Sequence, residues 1–194
     1  MRALVIYLNA FLLGSIVMGF EMLGSRYLYP YFGGGIGTWA ALIAVVLAAL
    51  MVGYFVGGAL ADRHPSARVI AAIVLAAGAY LAAVPTISDA LLLSLMEGFG
   101  DGPLSVLTAT SALLMVPVGL LGMYMPFSIR LLIRDPSVAG SLSGRLYAVS
   151  TFGNIFGILF VTFTLVPMIG TRAITYLCAV LAAACAVSLF SLRR

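Results

Sequence analysis

Six long apolar runs constrain this chain more than any other feature of its sequence. A helix that rises about 1.5 Å per residue needs about 20 apolar residues to cross a hydrocarbon core of about 30 Å. Backbone groups cannot stay unpaired in lipid, and this favours helices over open strands. The sequence, with 63% hydrophobic and 8% charged residues, therefore predicts an all-α polytopic membrane protein with six transmembrane helices in one domain, 1–194. The predicted spans are 3–23, 38–60, 69–87, 104–124, 146–169 and 173–190.

The positive charges predict an orientation. All ten are arginines, and an even number of spans puts both termini on one face of the membrane. Short cytoplasmic loops are rich in arginine and lysine, so we expect both termini in the cytoplasm and the protein in the inner (cytoplasmic) membrane. The charges are dispersed over helix ends, which argues against a nucleic-acid partner. The predicted inner face holds Arg2, Arg63, Arg68, Arg130, Arg134, Arg145, Arg193 and Arg194, and the outer face holds Arg26 and Arg172.

Six spans leave little of the chain for a soluble domain. The polar segments 24–37, 88–103 and 131–144 are predicted to be loops, and the first apolar run to be a retained signal-anchor. Pro85 and Pro167, near the ends of two runs, are expected to end helices.

Residues that commonly carry enzyme chemistry are sparse. His64 is the single histidine, and Cys178 and Cys185 would lie about 10 Å apart on one helix, too far for a disulfide. The sequence has no Walker A loop, nucleotide fingerprint or Ser/His/Asp constellation. We expect no cofactor, no metal site and no catalytic residue. Enzymatic activity therefore stays an open question, for which the sequence offers no evidence.

Spans one to three and four to six have similar motifs. Each half begins with a helix that ends in an aromatic, proline-containing segment with an arginine, Arg26 or Arg130. Each half continues with a glycine-spaced helix, Gly53-Tyr-Phe-Val-Gly57 or Gly153-Asn-Ile-Phe-Gly157. Because three is odd, the second half would enter the membrane from the opposite side. The pattern is typical of a 3+3 inverted repeat, as in many secondary transporters.

Small residues at four-residue spacing predict close helix contacts, because they let two backbones approach in lipid. Pro117 in the middle of the fourth run removes a backbone hydrogen bond and predicts a kink, either a hinge or a fixed bend. The residues predicted to serve packing or gating are Gly53, Gly57, Asp62, Arg63, Pro117, Gly153 and Gly157.

Glu21 is the most informative polar residue of the first run. At that depth an unpaired carboxylate costs several kcal/mol or takes up a proton, so it should face the protein interior or water. Two roles stay open. It could bind a cation or couple to protons, or it could form a structural ion pair with Arg26 if the helix unwinds after Gly24.

Aromatic residues follow Glu21 at the outer end of the first span. They suit an ordinary interfacial belt, or a cage that binds an organic cation through cation–π contacts. In the fifth span Tyr147, Ser150, Thr151, Asn154 and Thr162 form a polar stripe, which could pair helices or line a path. The hypothetical substrate-binding residues are Glu21, Arg26, Tyr27, Tyr31, Trp39, Tyr147 and Asn154.

The order of several motifs resembles the membrane region of fused spermidine-synthase-like proteins, over most of residues 12–68 and 115–172. In that family the membrane part usually precedes a cytosolic aminopropyltransferase-like domain that binds decarboxylated S-adenosylmethionine and a polyamine. This sequence does not include such a domain, so aminopropyl transfer is expected to be absent or supplied elsewhere. The motifs are Glu21 with Arg26, Pro30-Tyr-Phe-Gly33, Trp39, Gly53-Tyr54, Asp62-Arg63, Gly122, Pro126, Arg145-Leu-Tyr147, Gly153-Asn154 and Leu165-Val-Pro167.

The segment from Gly57 to Arg63 also resembles the loop between the second and third helices of major facilitator transporters. Six helices correspond to half of such a transporter, so the resemblance implies a homodimer. We expect the chain to bind or move a small, polyamine-like organic cation. The alternative is a non-transporting membrane anchor that docks a soluble synthase-like partner at its cytoplasmic face.

Overall fold

The computed structural model is all-helical and describes residues 2–133 and 135–192. Six of its helical segments are long and apolar enough to cross a bilayer, which confirms the predicted number of spans. Arg134, Arg193 and Arg194, assigned above to the inner face, lie outside the described residues. Spans 1 to 6 are Arg2–Phe32, Ile36–Arg63, Ala67–Phe99, Pro103–Leu132, Ala139–Met168 and Thr171–Phe190.

Span 4 is interrupted toward its C-terminal end. Its helices Pro103–Gly122 and Tyr124–Leu132 meet at Met123. Pro117, predicted to kink this span, lies inside the first of these helices, and the interruption comes six residues later. A 3-10 turn, Pro136–Val138, leads to span 5, and the Ser137 amide there donates a hydrogen bond of 2.9 Å to Asp135. That bond lowers the pKa of this exposed carboxyl below its ordinary value.

Span 5 changes its helical pitch near its C-terminal end. The α-helix Ala139–Phe160 is followed by a π-helical segment, Val161–Leu165, and one further turn, Val166–Met168. Pro167 lies in that last turn and has no amide hydrogen for the preceding turn, which favours locally wider hydrogen bonding. Pro167 therefore lies at the end of its span, as predicted.

The helices are longer than the apolar runs, so all three predicted loops were too long, and residues 139–144 of the third belong to span 5. Most of 24–37 belongs to span 1, and 88–99 belongs to span 3, which continues past Pro85. Hydroxyl groups in these segments donate hydrogen bonds to carbonyls of their own helix, as Ser94 does to Leu91 at 2.8 Å. Polar residues of this kind therefore do not end the helix. The glycines that follow the helices set their ends.

Gly33 and Gly100 follow spans 1 and 3 and have φ of 68° and 73°. Residues with a Cβ rarely adopt this left-handed conformation, which is typical of the residue after a helix. Gly100 also donates its amide to the carbonyl of Met96 at 2.8 Å. Glycine thus decides where these helices stop.

Three pairs of spans make the most extensive contacts. Span 1 packs on span 5, span 2 on span 4, and span 3 on span 6. Further contacts join span 3 to span 4 and span 1 to span 6. Cys178 and Cys185 are free and buried in span 6, as expected for packing residues. Span 1 lies at the centre of the bundle, and span 5 presents most of its surface to the surroundings.

Glycines form the contact between spans 2 and 4. A Cβ on Gly57 would lie 2.7 Å from the Met123 Cα, closer than real Cβ atoms approach. A Cβ on Gly53 would lie 3.2 Å from the carbonyl carbon of Gly119. Only glycine lets these two backbones come so near.

The contact between spans 1 and 5 is built in the same way. A Cβ on Gly157 would lie 2.7 Å from the Ser15 Cα, and a Cβ on Gly153 would lie 2.9 Å from the carbonyl carbon of Phe11. The Ser15 hydroxyl donates a hydrogen bond of 2.9 Å to the Gly153 carbonyl. All four glycines predicted to serve packing therefore lie at contacts between spans.

Candidate functional site

A small cleft lies where spans 1, 2, 4 and 5 meet, and we call it the central cleft. Its volume is about 30 Å³. A site of this size holds one or two water molecules, since a water needs roughly 10–15 Å³ measured in this way. Its lining residues are Ala10, Leu13, Gly14 and Val17 of span 1, Leu50 and Tyr54 of span 2, Leu121, Gly122, Tyr124 and Met125 of span 4, and Ser150 and Asn154 of span 5.

Gly14 makes room for the polar wall of the central cleft. A Cβ at this position would lie 2.8 Å from the Asn154 side-chain oxygen and 3.2 Å from the Ser150 hydroxyl. The absent side chain therefore lets these two groups of span 5 lie directly against the backbone of span 1. Both residues are half-buried, so their polar groups face a partly open space.

Two tyrosines complete the wall. The buried Tyr124 hydroxyl donates a hydrogen bond of 2.7 Å to the Ile6 carbonyl, which joins span 4 to the N-terminal end of span 1. Tyr54 of span 2 is 39% exposed. Tyr54 thus lines the cleft and also contributes to the outer surface of the bundle beside Met51 and Phe55.

Glu21 lies on the same face of span 1 as the cleft. It follows Val17 by four residues and Gly14 by seven, the spacings that align side chains along a helix. The rise from Val17 to Glu21 is about 6 Å. Glu21 is 7% exposed, so this residue lies inside the bundle, about one turn from the cleft toward the C-terminal end of span 1.

The ion pair considered between Glu21 and Arg26 does not form. The helix does not unwind after Gly24 but continues to Phe32, so a separation of five residues keeps these side chains on different faces. Arg26 is exposed, while Glu21 is buried. Within residues 2–133 and 135–192 the ion pairs are Arg130–Asp62 and Arg172–Asp89, and Glu21 is in neither.

The predicted aromatic residues do not surround Glu21 as a cage. Tyr27 lies about a third of a turn around the span 1 helix from Glu21. Its hydroxyl shares a hydrogen bond of 3.0 Å with Thr175 of span 6. Tyr31 is half-buried, with its ring centre 6.4 Å from that of Phe32. Trp39 is partly exposed near the start of span 2.

The polar stripe of span 5 divides between the cleft and the outer surface. Ser150 and Asn154 line the central cleft, whereas Tyr147 and Thr151 are exposed. Thr162 lies in the π-helical segment, and its buried hydroxyl has no hydrogen-bond partner among residues 2–133 and 135–192. Of the seven hypothetical binding residues, Asn154 lines the central cleft, and Glu21 lies about one helical turn beyond it on the same face of span 1.

Asp62 and Arg63, also predicted for packing or gating, lie at the C-terminal end of span 2. Asp62 at the end of span 2 pairs with Arg130 of span 4 at 3.6 Å, and both side chains are exposed. Arg63 is exposed beside them. An exposed ion pair contributes little stability, typically about 0–1 kcal/mol, so this one joins two spans weakly.

Tyr54 and Tyr124 are site residues that the sequence did not predict as such. Tyr54 adjoins the packing glycine Gly53, and Tyr124 follows the interruption of span 4 at Met123. The seven-residue spacing of Gly14 and Glu21 in the sequence predicts that both residues lie on one face of span 1, which is the face that lines the cleft. The rotation of spans 2 and 4 about their axes, which turns these tyrosines inward, could not be read from sequence.

Within the described ranges there is no group of three or more His, Cys, Asp or Glu residues that could hold a metal ion. The chemistry available is therefore one buried carboxyl, a side-chain amide, hydroxyl groups and an accessible aromatic ring. Comparisons with protein-family models, curated proteins and solved structures give no match to this chain. The functional argument consequently rests on geometry.

Proposed function

We propose that this protein binds and moves a small, polyamine-like organic cation through the membrane, with Glu21 as its anionic contact. The observation that carries the proposal is the burial of Glu21 on the cleft-facing side of span 1, outside both described ion pairs. Ionisable groups inside a membrane bundle are costly and typically mark substrate or ion pathways. A bound cation would offset the cost of keeping this carboxyl charged.

An organic amine suits these surroundings better than a metal ion. Divalent metals require several oxygen ligands, whereas an ammonium group is satisfied by one carboxylate, a few hydrogen-bond acceptors and an aromatic face. Glu21, the Asn154 side-chain oxygen and the Tyr54 ring offer this combination along one side of the bundle. Their spread along the membrane normal suits an elongated cation.

We also propose a 3+3 inverted repeat as the framework of the transport path. In such a repeat, spans 1, 2 and 3 correspond to spans 4, 5 and 6. Under this correspondence the contact of spans 1 and 5 maps onto that of spans 4 and 2, and the contact of spans 3 and 6 maps onto itself. The glycine contacts keep their register, since Gly53 and Gly57 contact span 4 in the same way as Gly153 and Gly157 contact span 1.

The central cleft has the same correspondence in its lining. The equivalent pairs of lining residues are Leu13 and Leu121, Gly14 and Gly122, Val17 and Met125, Leu50 and Ser150, and Tyr54 and Asn154. A cleft on the pseudo-twofold axis is where transporters with such repeats bind their substrates. This correspondence supports the repeat and links it to the proposed site.

A polyamine does not fit a cleft of about 30 Å³, so binding requires spans 2 and 5 to separate or a second copy to enlarge the site. We propose a homodimer in which the two copies face each other across the path, as the halves of a twelve-helix transporter do. The arginine bias supports an inner-membrane orientation with both termini in the cytoplasm. The mass of the protein in native detergent complexes, compared with 20.3 kDa for one chain, tests the dimer.

Uptake into proteoliposomes tests the transport proposal. Reconstituted protein should accumulate labelled spermidine, and Glu21→Gln, which keeps the size of the side chain, should lower the initial rate at least tenfold. Glu97→Gln is the matched control, because it removes an exposed carboxylate near the end of span 3. Uptake that persists in Glu21→Gln, or falls equally in both variants, contradicts the role of Glu21.

A membrane anchor for a soluble synthase-like enzyme is the second candidate. It is favoured by exposed arginines at the end of the bundle that carries the N-terminus. A soluble methyltransferase-fold protein that co-purifies at low salt and dissociates at high salt would support it. The exposed arginines are Arg63, Arg68, Arg130 and Arg145.

A further inference from the structure

A second cavity lies at the end of the bundle that carries the N-terminus, far from Glu21. It has a volume of about 570 Å³, within the range of typical ligand sites. The start of span 1, the connection between spans 2 and 3, and the end of span 6 form its wall. We call it the basic pocket, and its principal lining residues are Arg2, Ser66, Ala67, Arg68, Phe190 and Leu192.

The pocket carries positive charge, and no acidic side chain of residues 2–133 and 135–192 is among its lining residues. Arg2 and Arg68 line it, and neither takes part in the ion pairs of the described residues. Asp62, the acidic residue nearest to Arg68 in sequence, is paired with Arg130 instead. The Arg2 side chain lines the pocket, and its Nε atom has no hydrogen-bond partner within residues 2–133 and 135–192, so no acceptor in that part of the chain holds this side chain through Nε.

The backbone adds to this charge. Span 3 begins at Ala67, and the start of a helix carries a partial positive charge of about half a unit. The Ser66 side chain accepts a hydrogen bond of 3.3 Å from the Arg68 amide, which leaves its hydroxyl hydrogen free to donate. Guanidinium groups, a hydroxyl and a helix start are together the donors that bind phosphate groups in proteins.

We infer that the basic pocket binds an anionic phosphate group. Two sources share this chemistry, the headgroup of an anionic phospholipid and a free phosphate compound. The site lies at the end of the spans, where headgroups reside, and Phe190 and Leu192 add an apolar wall beside the arginines. Pockets of this kind, basic and set between helix ends, suit anionic lipid headgroups.

Lipid binding to the full-length protein in detergent tests this inference. Native mass spectrometry should detect tighter binding of phosphatidylglycerol than of phosphatidylcholine. Arg68→Gln should weaken phosphatidylglycerol binding about fivefold, the effect of about one interfacial charge. Arg145→Gln is the control, because it removes an exposed arginine at the same end of the bundle but outside the pocket, and it should leave the preference intact.

Each outcome has a defined meaning. Competition by millimolar inorganic phosphate indicates a site for free phosphate compounds, and binding of phosphatidylglycerol without such competition indicates a lipid site. Arg2→Gln provides a second variant from a different span, with the same expected loss. Equal binding of the two lipids by the unmodified protein, or equal losses in Arg68→Gln and Arg145→Gln, overturns the inference.

Discussion

Glu21 differs from the other acidic side chains in its burial. Asp62, Asp89, Glu97 and Asp101 are all exposed, and two of them form ion pairs. Glu21 is buried in the middle of a polytopic bundle, on the face of span 1 that lines the central cleft. The cost of burying a carboxyl in that position is the physical reason to expect a ligand for it.

Tyr54 offers a graded test of cation binding at the residue scale. Replacement of Tyr54 by leucine removes the accessible ring and should weaken spermidine binding by about threefold to thirtyfold, as expected for a cation–π contact of about 0.5–2 kcal/mol. Tyr54→Phe keeps the ring and should bind nearly as well as the unmodified protein. Equilibrium binding of labelled spermidine in detergent measures both. Equal losses in the two variants would assign the effect to the hydroxyl instead.

The binding roles of Glu21 and Asn154 stay predictions, and the ion pair with Arg26, one of the alternatives for Glu21, is absent from the structure. The position of a charged residue within an apolar run can be read from the sequence, and a position deep in the run predicts that the residue is buried. The partners depend on how each helix rotates about its axis. Tyr27 therefore turns to Thr175 on span 6, while Tyr54 of span 2 turns toward the cleft, and neither outcome could be read from spacing alone.

At the scale of elements, glycine rather than proline organises the helices. Span 3 passes through Pro85 and ends before Gly100, whose positive φ stops the helix. The apolar runs predicted the number of spans, but the ends of the helices lie well beyond those runs. Span 3 has 33 residues and is therefore about 50 Å long, so it must tilt or extend beyond a hydrocarbon core of about 30 Å.

Alanine substitutions at the glycine contacts test the packing between spans. Gly57→Ala and Gly157→Ala should each lower stability by about 1–3 kcal/mol, because the new Cβ meets a neighbouring backbone that cannot move away locally. Similar losses in the two variants are expected, since the two contacts have the same geometry. Thermal unfolding in detergent, followed by circular dichroism, measures the effect.

Gly58→Ala is the control for this series. Its Cβ would have its nearest neighbour at 3.9 Å, an ordinary van der Waals distance. Because alanine favours the helix by about 1 kcal/mol over glycine, this variant should be neutral or more stable. A loss in Gly58→Ala as large as in Gly57→Ala would show that glycine serves these helices in some way other than close contact.

At the scale of the whole molecule, two of the cavities of the bundle differ in their chemistry. The central cleft adjoins a buried carboxyl, and the basic pocket at the end of the bundle carries two arginines. Sequence predicted six spans and the packing role of the glycines. The association of spans 1, 2, 4 and 5 around one cleft emerged only from the three-dimensional arrangement.

Orientation in the membrane is tested by cysteine labelling. The two natural cysteines are buried, so they should react little with a membrane-impermeant maleimide added to intact cells. Glu97→Cys should be labelled from outside, and His64→Cys only after the cells are opened, because the arginine-rich end should face the cytoplasm. The reverse pattern would contradict the proposed topology.

The most direct test of the central claim is equilibrium binding of labelled spermidine to the unmodified protein, Glu21→Gln and Glu97→Gln. The three proteins should first elute alike in size-exclusion chromatography, which establishes that folding is preserved. We predict saturable binding to the unmodified protein and to Glu97→Gln, and at least a tenfold loss of affinity in Glu21→Gln. Equal affinity in all three proteins would contradict the role assigned to Glu21.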